Sequence, residues 1–208
     1  MHIISKILKD HYTNTFDLFG ATPRGVDWGS EEDVFIRYNK MLAVVNYANS
    51  SFADGTILDV GCGYGGLLLY AKERGIKLNY TGIDVADNII QYAQKNVDSG
   101  NFISGDILDE NFDKEYDFVI CNGILTQKCT ASKIDTDKFS QELIRKMFSL
   151  SRKGIAFNLM TTNVNFMVDN LYYRSPVEML GFCYTEITQK FVIDHSYPLY
   201  EYTIYLFK

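Results

Sequence analysis

A carboxylate stands just before a run of alternating glycines near residue 60. The apolar run 56–60 is typical of a buried strand, and it contains Asp59. Gly61, Gly63 and Gly65 come next; glycines allow backbone angles that other residues avoid and let a ligand approach the main chain. The helix predicted directly after this turn would present its free N–H groups to that ligand. The stretch therefore predicts a site for a small, partly anionic molecule.

Two classes of ligand suit such a turn, and Asp59 separates them. Gly61, Gly63 and Gly66 satisfy the pattern G-x-G-x-x-G, which on its own indicates a dinucleotide. A carboxylate before the turn would repel a pyrophosphate, whereas it would pair with the ammonium group of a bound amino acid. S-adenosylmethionine (SAM) carries that ammonium group together with an adenosine. The alternative is a strand–turn–helix unit whose glycines serve only the bend.

At this point the sequence resembles the class I SAM-dependent methyltransferases, whose first motif is an acidic residue, one spacer and glycines at alternate positions. The resemblance implies that Asp59 pairs with the methionine ammonium group of SAM. It also implies that Gly61, Cys62 and Gly63 border the amino-acid part of the cofactor.

Polar side chains come at the ends of the next three predicted strands. Asp84, with Val85 after it, ends the second strand, where a carboxylate accepts hydrogen bonds from ribose hydroxyls in this kind of fold. In the methyltransferase pattern Asp106 accepts from the adenine amino group and Ile107 packs on the ring, although Asp106 taken alone suits a simple turn equally well. Asn122 ends the fourth strand, beside the expected position of the methyl group, and completes the predicted contacts of these strands with the cofactor.

The order of the predicted elements indicates the fold. Strands alternate with helices and then end in a hairpin, which is the methyltransferase variant of the doubly wound α/β fold. We expect a single domain with a Rossmann-like, seven-stranded, mostly parallel sheet and a C-terminal antiparallel hairpin. Residues 1–50 are predicted to form a helical N-terminal cover, and residues 51–208 the Rossmann-like core.

Local patterns predict several element boundaries. One helix is expected from Ser30 to about Ala48, another over 138–151, and a third is expected to begin under a cap from the carboxylate of Asp87. The last strand, 199–207, alternates with period two, which indicates one drier face. The segment between the first two helices is either a cover over the cofactor or a plain connector.

A hydroxyl acceptor needs a base to withdraw its proton, and His195 is the predicted base. It comes after a strand of the parallel sense, so it is expected at the sheet edge where ligands gather, and histidine titrates near neutral pH. Asp194 or Asp27 would orient it. The competing interpretation is that His195 only forms hydrogen bonds within the hairpin.

Other side chains complete the predicted site. Trp28, Asn163 and Tyr197 are expected to contact the acceptor. Arg37, on the second helix, is expected to bind the methionine carboxylate of SAM, and its alternative role is a surface salt bridge.

Composition limits the partners. The chain has 208 residues and a formal charge of −6, so a broad phosphate-binding face is not expected and no nucleic acid partner is predicted. Its four cysteines and three histidines lack metal-finger spacing, so no metal is predicted and the cysteines are expected to be small buried residues. No apolar run has the length of a membrane span, and the N-terminus is unlike a signal peptide. We expect a cytoplasmic monomer or homodimer.

The residues after the fourth strand bear on the acceptor. The sequence 122–125 is Asn-Gly-Ile-Leu and lacks the Asn/Asp-Pro-Pro-aromatic signature of enzymes that methylate nucleobase amines. Several segments also resemble a small bacterial methyltransferase subfamily encoded among surface-polysaccharide genes: 25–28, Glu32 with Arg37-Tyr38, Asn122-Gly123, 153–158, His195 and 197–202.

That second resemblance implies O-methylation of a small polar acceptor such as a sugar or a nucleotide sugar. Members of the subfamily often carry Arg before and Asp after the hairpin histidine, whereas Asp194 and Ser196 stand there in this chain. The contacts of the histidine or of the acceptor are therefore expected to differ. N- or C-methylation is the alternative, and an NAD-dependent oxidoreductase or a non-catalytic SAM-binding protein are remoter ones.

Overall fold

The computed structural model describes residues 1–52 and 55–208; residues 53 and 54, inside the predicted core range, lie outside the described part. Its centre is one β-sheet. The strands are β1 (Thr56–Val60), β2 (Asn79–Asp84), β3 (Asn101–Ser104), β4 (Tyr116–Cys121), β5 (Ser151–Thr161), β6 (Tyr173–Arg174), β7 (Phe191–Asp194) and β8 (Glu201–Phe207). Their order is β3-β2-β1-β4-β5-β8-β7, and β6 pairs with β5 beside this path.

The directions of the strands confirm the predicted fold class. All pairs are parallel except those of β8, which runs antiparallel to β5 and to β7. The C-terminal hairpin β7–β8 therefore closes an otherwise parallel sheet, as expected. The prediction of seven strands missed only β6, which has two residues.

Helices cover both faces of the sheet. They are α1 (Ile3–Phe19), α2 (Glu31–Leu42), α3 (Val44–Tyr47), α4 (Gly66–Glu73), α5 (Asp87–Asn96), α6 (Lys133–Leu150) and α7 (Pro176–Glu186). Apolar side chains of α1, α6 and α7 fill one core, and those of α2 to α5 fill the other. In β1, Leu58 joins the first core and Ile57 the second, which explains its continuous apolar run. No helix in the described ranges is both long and apolar enough to cross a bilayer.

The prediction of one drier face for the last strand is wrong. Every residue of β8 from Glu201 to Leu206 is buried. The strand lies between β5 and β7, and side chains on both of its faces enter a core, with Tyr202 in the first and Tyr205 in the second. The period-two pattern arose because Glu201 and Thr203 are polar, yet both are buried with hydrogen-bond partners.

The helix boundaries differ from the prediction at two places. The helix expected from Ser30 to Ala48 divides at Ala43, whose N–H is shared between the carbonyls of Asn39 and Lys40. Its start is confirmed, because the hydroxyl of Ser30 accepts from the N–H of Asp33 at 3.1 Å.

Helix α6 begins at Lys133, five residues before the expected position. Ser132 accepts from the N–H of Asp135 at 3.1 Å and caps this helix. The apolar spacing begins only near Phe139 because the first turn faces solvent, so periodicity alone could not reveal that turn.

The predicted cap by Asp87 is also wrong. Helix α5 begins at Asp87 as expected, but its N-cap is Ala86, whose side chain makes no capping hydrogen bond, and the first-turn N–H of Ile89 donates to the side chain of Asn88 rather than to that of Asp87. The carboxylate of Asp87 instead binds Lys9 of α1 at 2.5 Å and accepts from the hydroxyl of Ser104. Asp87 therefore connects α1 to strand β3 at the edge of the sheet. No local sequence pattern predicts this contact.

Candidate active site

A cavity of about 720 Å³, counted together with the open solvent at its mouth, lies at the carboxyl ends of β1, β2 and β4, under α1. A smaller cavity of about 340 Å³, counted in the same way, adjoins it, and the two share Gly61, Gly63 and Asn122. Ten predicted site residues line one or both cavities: Trp28, Asp59, Gly61, Cys62, Gly63, Asp84, Val85, Asp106, Ile107 and Asn122. Parallel strands end at the same edge of a sheet, which brings these residues together across 94 positions of sequence from Trp28 to Asn122.

The glycine turn after β1 needs both its unusual backbone angles and its lack of side chains. Gly61, Gly63 and Gly65 have φ values of 73°, 53° and 85°. A methyl group added to Gly61 would lie 2.6 Å from the side chain of Ile124, so the turn is closed to larger residues on that side. The N–H of Gly61 donates to the carbonyl of Ile83 at 2.8 Å and fixes the turn on β2.

Asp59 is buried at the base of the smaller cavity, with 3% of its surface exposed. The hydroxyl of Tyr80 donates a hydrogen bond to its carboxylate at 2.7 Å. Burial raises the pKa of Asp59 to about 7, and the hydrogen bond from Tyr80 opposes this rise. When such a buried carboxylate is ionised, a cation stabilises it best. The ammonium group of SAM would be such a cation.

Asp84 fixes the turn from the next strand. Its carboxylate accepts from the N–H of Gly63 at 3.0 Å and from the N–H of Ala86 at 2.9 Å. Burial raises the pKa of Asp84, and these backbone bonds oppose the rise. A carboxylate has about four acceptor sites, so Asp84 can still accept from a hydroxyl of a ribose.

Helix α1 closes the far end of the larger cavity. The backbone N–H of His2 donates to Asp106 at 3.1 Å, and the N–H of Leu108 donates to the same carboxylate at 3.0 Å. Ser5, Leu8 and Tyr12 of this helix line the cavity. The predicted cover over residues 1–50 therefore includes α1, and Val26 and Trp28 of the following segment line both cavities as well.

A chain of buried hydrogen bonds supports the end of β4. The N–H of Gly123 donates to Asn158 at 2.9 Å, and Asn158 donates to Glu201 at 2.7 Å. Asn122 lines both cavities, and within the described residues its side-chain oxygen is buried without a hydrogen-bond partner. An orphaned buried acceptor beside a cavity fits a ligand that brings a donor.

Arg37 is buried next to Glu201, the last member of this hydrogen-bond chain. It binds Glu201 through Nε at 3.0 Å and through Nη2 at 2.5 Å, and its guanidinium group stacks 4.1 Å from the ring centre of Trp28. The pair is buried, so the alternative of a surface salt bridge is wrong. In the described part of the chain Nη1 of Arg37 has no hydrogen-bond partner, so a contact with the methionine carboxylate stays a prediction.

Sequence reasoning missed Glu201 and Asn158. The signal that could have found them was their residue type, since an amide and an acid stand next to apolar runs in two strands. Such groups are buried only with partners.

We expect Glu201→Gln to lower the free energy of unfolding by about 3–5 kcal/mol, because it leaves the guanidinium group of Arg37 buried without a counter-charge. Urea denaturation measures the change. The control is Lys133→Ala, whose exposed pair with Asp137 is expected to contribute less than about 1 kcal/mol. Equal losses in the two variants would contradict the structural role of the buried pair.

His195, Asn163 and Tyr197 do not line either cavity. His195 is exposed and comes after β7 at the edge of the sheet, three strand spacings or about 14 Å from β4. Tyr197 is buried and its hydroxyl lies 2.9 Å from that of Thr203, whereas Asn163 is exposed. Neither carboxylate considered for orienting His195 does so: Asp194 accepts from Lys40, and Asp27 binds His11.

Among residues 1–52 and 55–208 no group of three or more His, Cys, Asp or Glu side chains is arranged to hold a metal ion. All four cysteines are free thiols. Cys62, Cys121 and Cys183 are buried as predicted, while Cys129 is only half-buried.

Known proteins are similar in sequence and fold. A family model described as a methyltransferase domain matches residues 51–192. "Putative methyltransferase Rv1506c" of Mycobacterium tuberculosis is 31% identical over 151 residues, which are 72% of this chain and 90% of that protein.

Two solved structures share the fold. Magnesium protoporphyrin IX methyltransferase (ChlM) of Synechocystis PCC 6803 with bound SAM aligns at a TM-score of 0.67 and 16% identity, over 100% of this chain and 98% of that one. The plantazolicin methyltransferase BpumL, in complex with S-adenosylhomocysteine and a monoazolic desmethylPZN analogue, aligns at 0.61 and 17% identity, over 98% and 97%.

The cavities and the comparisons lead to the same class of protein. The acidic and glycine-rich edge of the sheet fits an adenosyl ligand with an ammonium group, and the family match over residues 51–192 includes every residue of β1 to β4. The chain belongs to the methyltransferase domain family and is a SAM-dependent methyltransferase with a Rossmann-like fold.

Proposed function

We propose that this methyltransferase transfers the methyl group of SAM to a hydroxyl of a small polar acceptor such as a sugar or a nucleotide sugar. One observation carries the proposal: polar, uncharged or acidic side chains gather outside the end of β4, beside the cofactor cavity. Gln127 donates to Asp27 at 3.4 Å and accepts from Asn170 at 3.4 Å. Groups of this kind bind hydroxyls by hydrogen bonds.

The cofactor roles in this proposal follow the cavities. Asp59 binds the ammonium group, while Gly61, Cys62 and Gly63 leave room for the amino-acid part. Arg37 approaches the carboxylate from behind Trp28.

The adenosine part takes the other end of the larger cavity. Asp84 and Val85 hold the ribose, and Asp106 and Ile107 frame the adenine. Asn122 accepts from the cofactor near its sulfonium centre, which supplies the methyl group. Metal ions have no role in this proposal.

Fewer structural observations support the residues proposed to contact the acceptor. Trp28, Asn163 and Tyr197 stay predicted acceptor contacts, and of these Trp28 has the support of lining both cavities. His195 stays a predicted base, supported by its position after a strand whose carboxyl end lies at the ligand edge. We also propose that the protein acts in the cytoplasm in polysaccharide biosynthesis, as a monomer or homodimer, without a nucleic acid or membrane partner.

The test is product analysis with SAM carrying a ¹³C-labelled methyl group. A panel of uridine and thymidine diphosphate sugars is offered beside matched amino sugars in which an amine replaces one hydroxyl. We expect the label on an oxygen of a sugar, identified by mass spectrometry and by the ¹³C chemical shift. Label on nitrogen or carbon would support the alternative of N- or C-methylation. Absence of transfer to the panel, with SAM bound in calorimetry, would overturn the proposed acceptor class.

A further inference from the structure

A histidine and a carboxylate pair next to residues that line the cofactor cavity, although neither of the two lines it. His11 of α1 donates from Nε2 to Asp27, which lies in the segment between α1 and α2. Asp27 also accepts from Gln127, just beyond the end of β4. Both side chains of the pair are partly accessible, with 33% of His11 and 27% of Asp27 exposed.

The backbone holds Asp27 in a left-handed conformation next to the cavity wall. Its φ of 60° and ψ of 28° lie in a region that is uncommon for residues other than glycine, although Asp adopts it more readily than most. The neighbours on either side of Asp27, Val26 and Trp28, line both cavities, so Asp27 lies directly beside their wall. Such conformations concentrate at functional sites, because surrounding contacts must maintain them.

The pairing leaves one nitrogen of His11 free to accept a proton. With Nε2 donating to Asp27, Nδ1 carries the lone pair, and within the described residues Nδ1 has no hydrogen-bond partner. The hydrogen bond from His11 to Asp27 raises the pKa of His11, while burial opposes the rise. Other titratable or charged groups near the pair are Tyr12, whose ring packs on that of His11, and Cys129, which interacts electrostatically with Asp27 and with Lys128.

We propose that His11 is the general base of methyl transfer and that Asp27 is its positioning residue, with Gln127 holding the carboxylate. This inference rests on the proposed transfer to a hydroxyl. The acceptor O–H bond breaks and its proton goes to Nδ1 of His11. The oxygen electron pair forms the bond to the methyl carbon, and the electron pair of the broken carbon–sulfur bond stays on sulfur. The resulting imidazolium is stabilised by Asp27.

This assignment differs from the prediction of His195. Helix α1 carries His11 one residue before Tyr12, which lines the larger cavity, whereas His195 follows the edge strand β7 and its ring contacts that of Tyr202. His195 also lacks a carboxylate partner among the described residues, while His11 has one.

The experiment compares His11→Gln, Asp27→Asn and His195→Ala with the control Asp10→Asn, an exposed acid on the same helix. The acceptor is the diphosphate sugar methylated by the wild type. We expect His11→Gln to lower kcat by about 10²–10⁴-fold, while the Kd for SAM and the thermal unfolding temperature stay near those of the control. A wild-type rate for His11→Gln with a large loss for His195→Ala would overturn the inference and leave the proposed function intact. If the wild type methylates no hydroxyl, the proposed function fails, and this inference fails with it.

The pH dependence gives a readout that a structural role would not change. A base must be neutral, so the wild-type rate should rise with pH through the pKa of His11. Asp27→Asn removes the charge that raises this pKa, so the rising limb should move to lower pH. An NMR titration of the histidine ring without cofactor or acceptor should show the same downward shift in Asp27→Asn but not in Asp10→Asn. An unchanged ring pKa would contradict the role of Asp27.

Discussion

Asp59→Asn is expected to weaken SAM binding about 30-fold or more while it stabilises the protein without cofactor. Removing one partner of a buried charge pair costs about 2 kcal/mol or more, and 1.4 kcal/mol corresponds to tenfold in Kd. Asparagine keeps the shape and can still accept from Tyr80, so the loss reports the charge. In the wild type the affinity for SAM should fall as the pH drops below about 7, because the carboxylate becomes protonated there.

The gain in stability comes from the same raised pKa. The folded carboxyl titrates near 7 and the unfolded one near 3.8, so the wild type loses stability as the pH rises between these values. Three pKa units correspond to about 4 kcal/mol, which is an upper bound for the advantage of Asp59→Asn at pH 8. Below about pH 4 the advantage should vanish, because the carboxyl group is then neutral in both states.

Calorimetry with SAM and urea denaturation at several pH values measure both effects. Asp117→Asn is the matched control. The pKa of Asp117 is lowered to about 2 by hydrogen bonds from Arg152 and Thr56 that outweigh its burial, so this variant should lose stability at neutral pH and keep its affinity for SAM. An unchanged Kd for SAM in Asp59→Asn would contradict the proposed contact between Asp59 and the ammonium group of SAM.

Asp84→Ala is expected to weaken SAM binding about 100-fold or more. Each hydrogen bond to a charged acceptor contributes about 1.5–3 kcal/mol, and the hydrogen bonds from two ribose hydroxyls to Asp84 would be lost. The variant also leaves the N–H groups of Gly63 and Ala86 without their acceptor, which loosens the turn. Calorimetry measures the loss, with Asp87→Asn as control, since Asp87 is close in sequence but binds Lys9.

Adenosine separates the two carboxylates. Asp84→Ala should weaken adenosine and SAM alike, because both carry the ribose. Asp59→Asn should weaken SAM alone, because adenosine lacks the ammonium group. If adenosine bound equally well to Asp84→Ala and to the wild type, the ribose contact would be refuted.

The prediction from sequence succeeded where the information is local. The turn after β1 is built by neighbouring residues, and the roles of the acids at the carboxyl ends of β2 and β3 are expected from the rule that ligands gather at the carboxyl ends of parallel strands. The predictions failed where exposure to solvent hides the start of a helix, or where the partner of a side chain is distant in sequence. Helix α6 has a polar first turn, and the carboxylate of Asp87 prefers Lys9, which is 78 residues away.

The sequence by itself determined the fold class, the cofactor edge and the residues that line it, because strand, turn and helix signals lie within a few residues of each other. Only the tertiary structure decided the partners of the charged side chains. Arg37 meets Glu201 across 164 residues, and His11 meets Asp27 across a helix end. The position of β7 at the sheet edge likewise sets how far His195 lies from β4. Such pairings depend on which elements pack together, and that order is fixed by the cores on the two faces of the sheet.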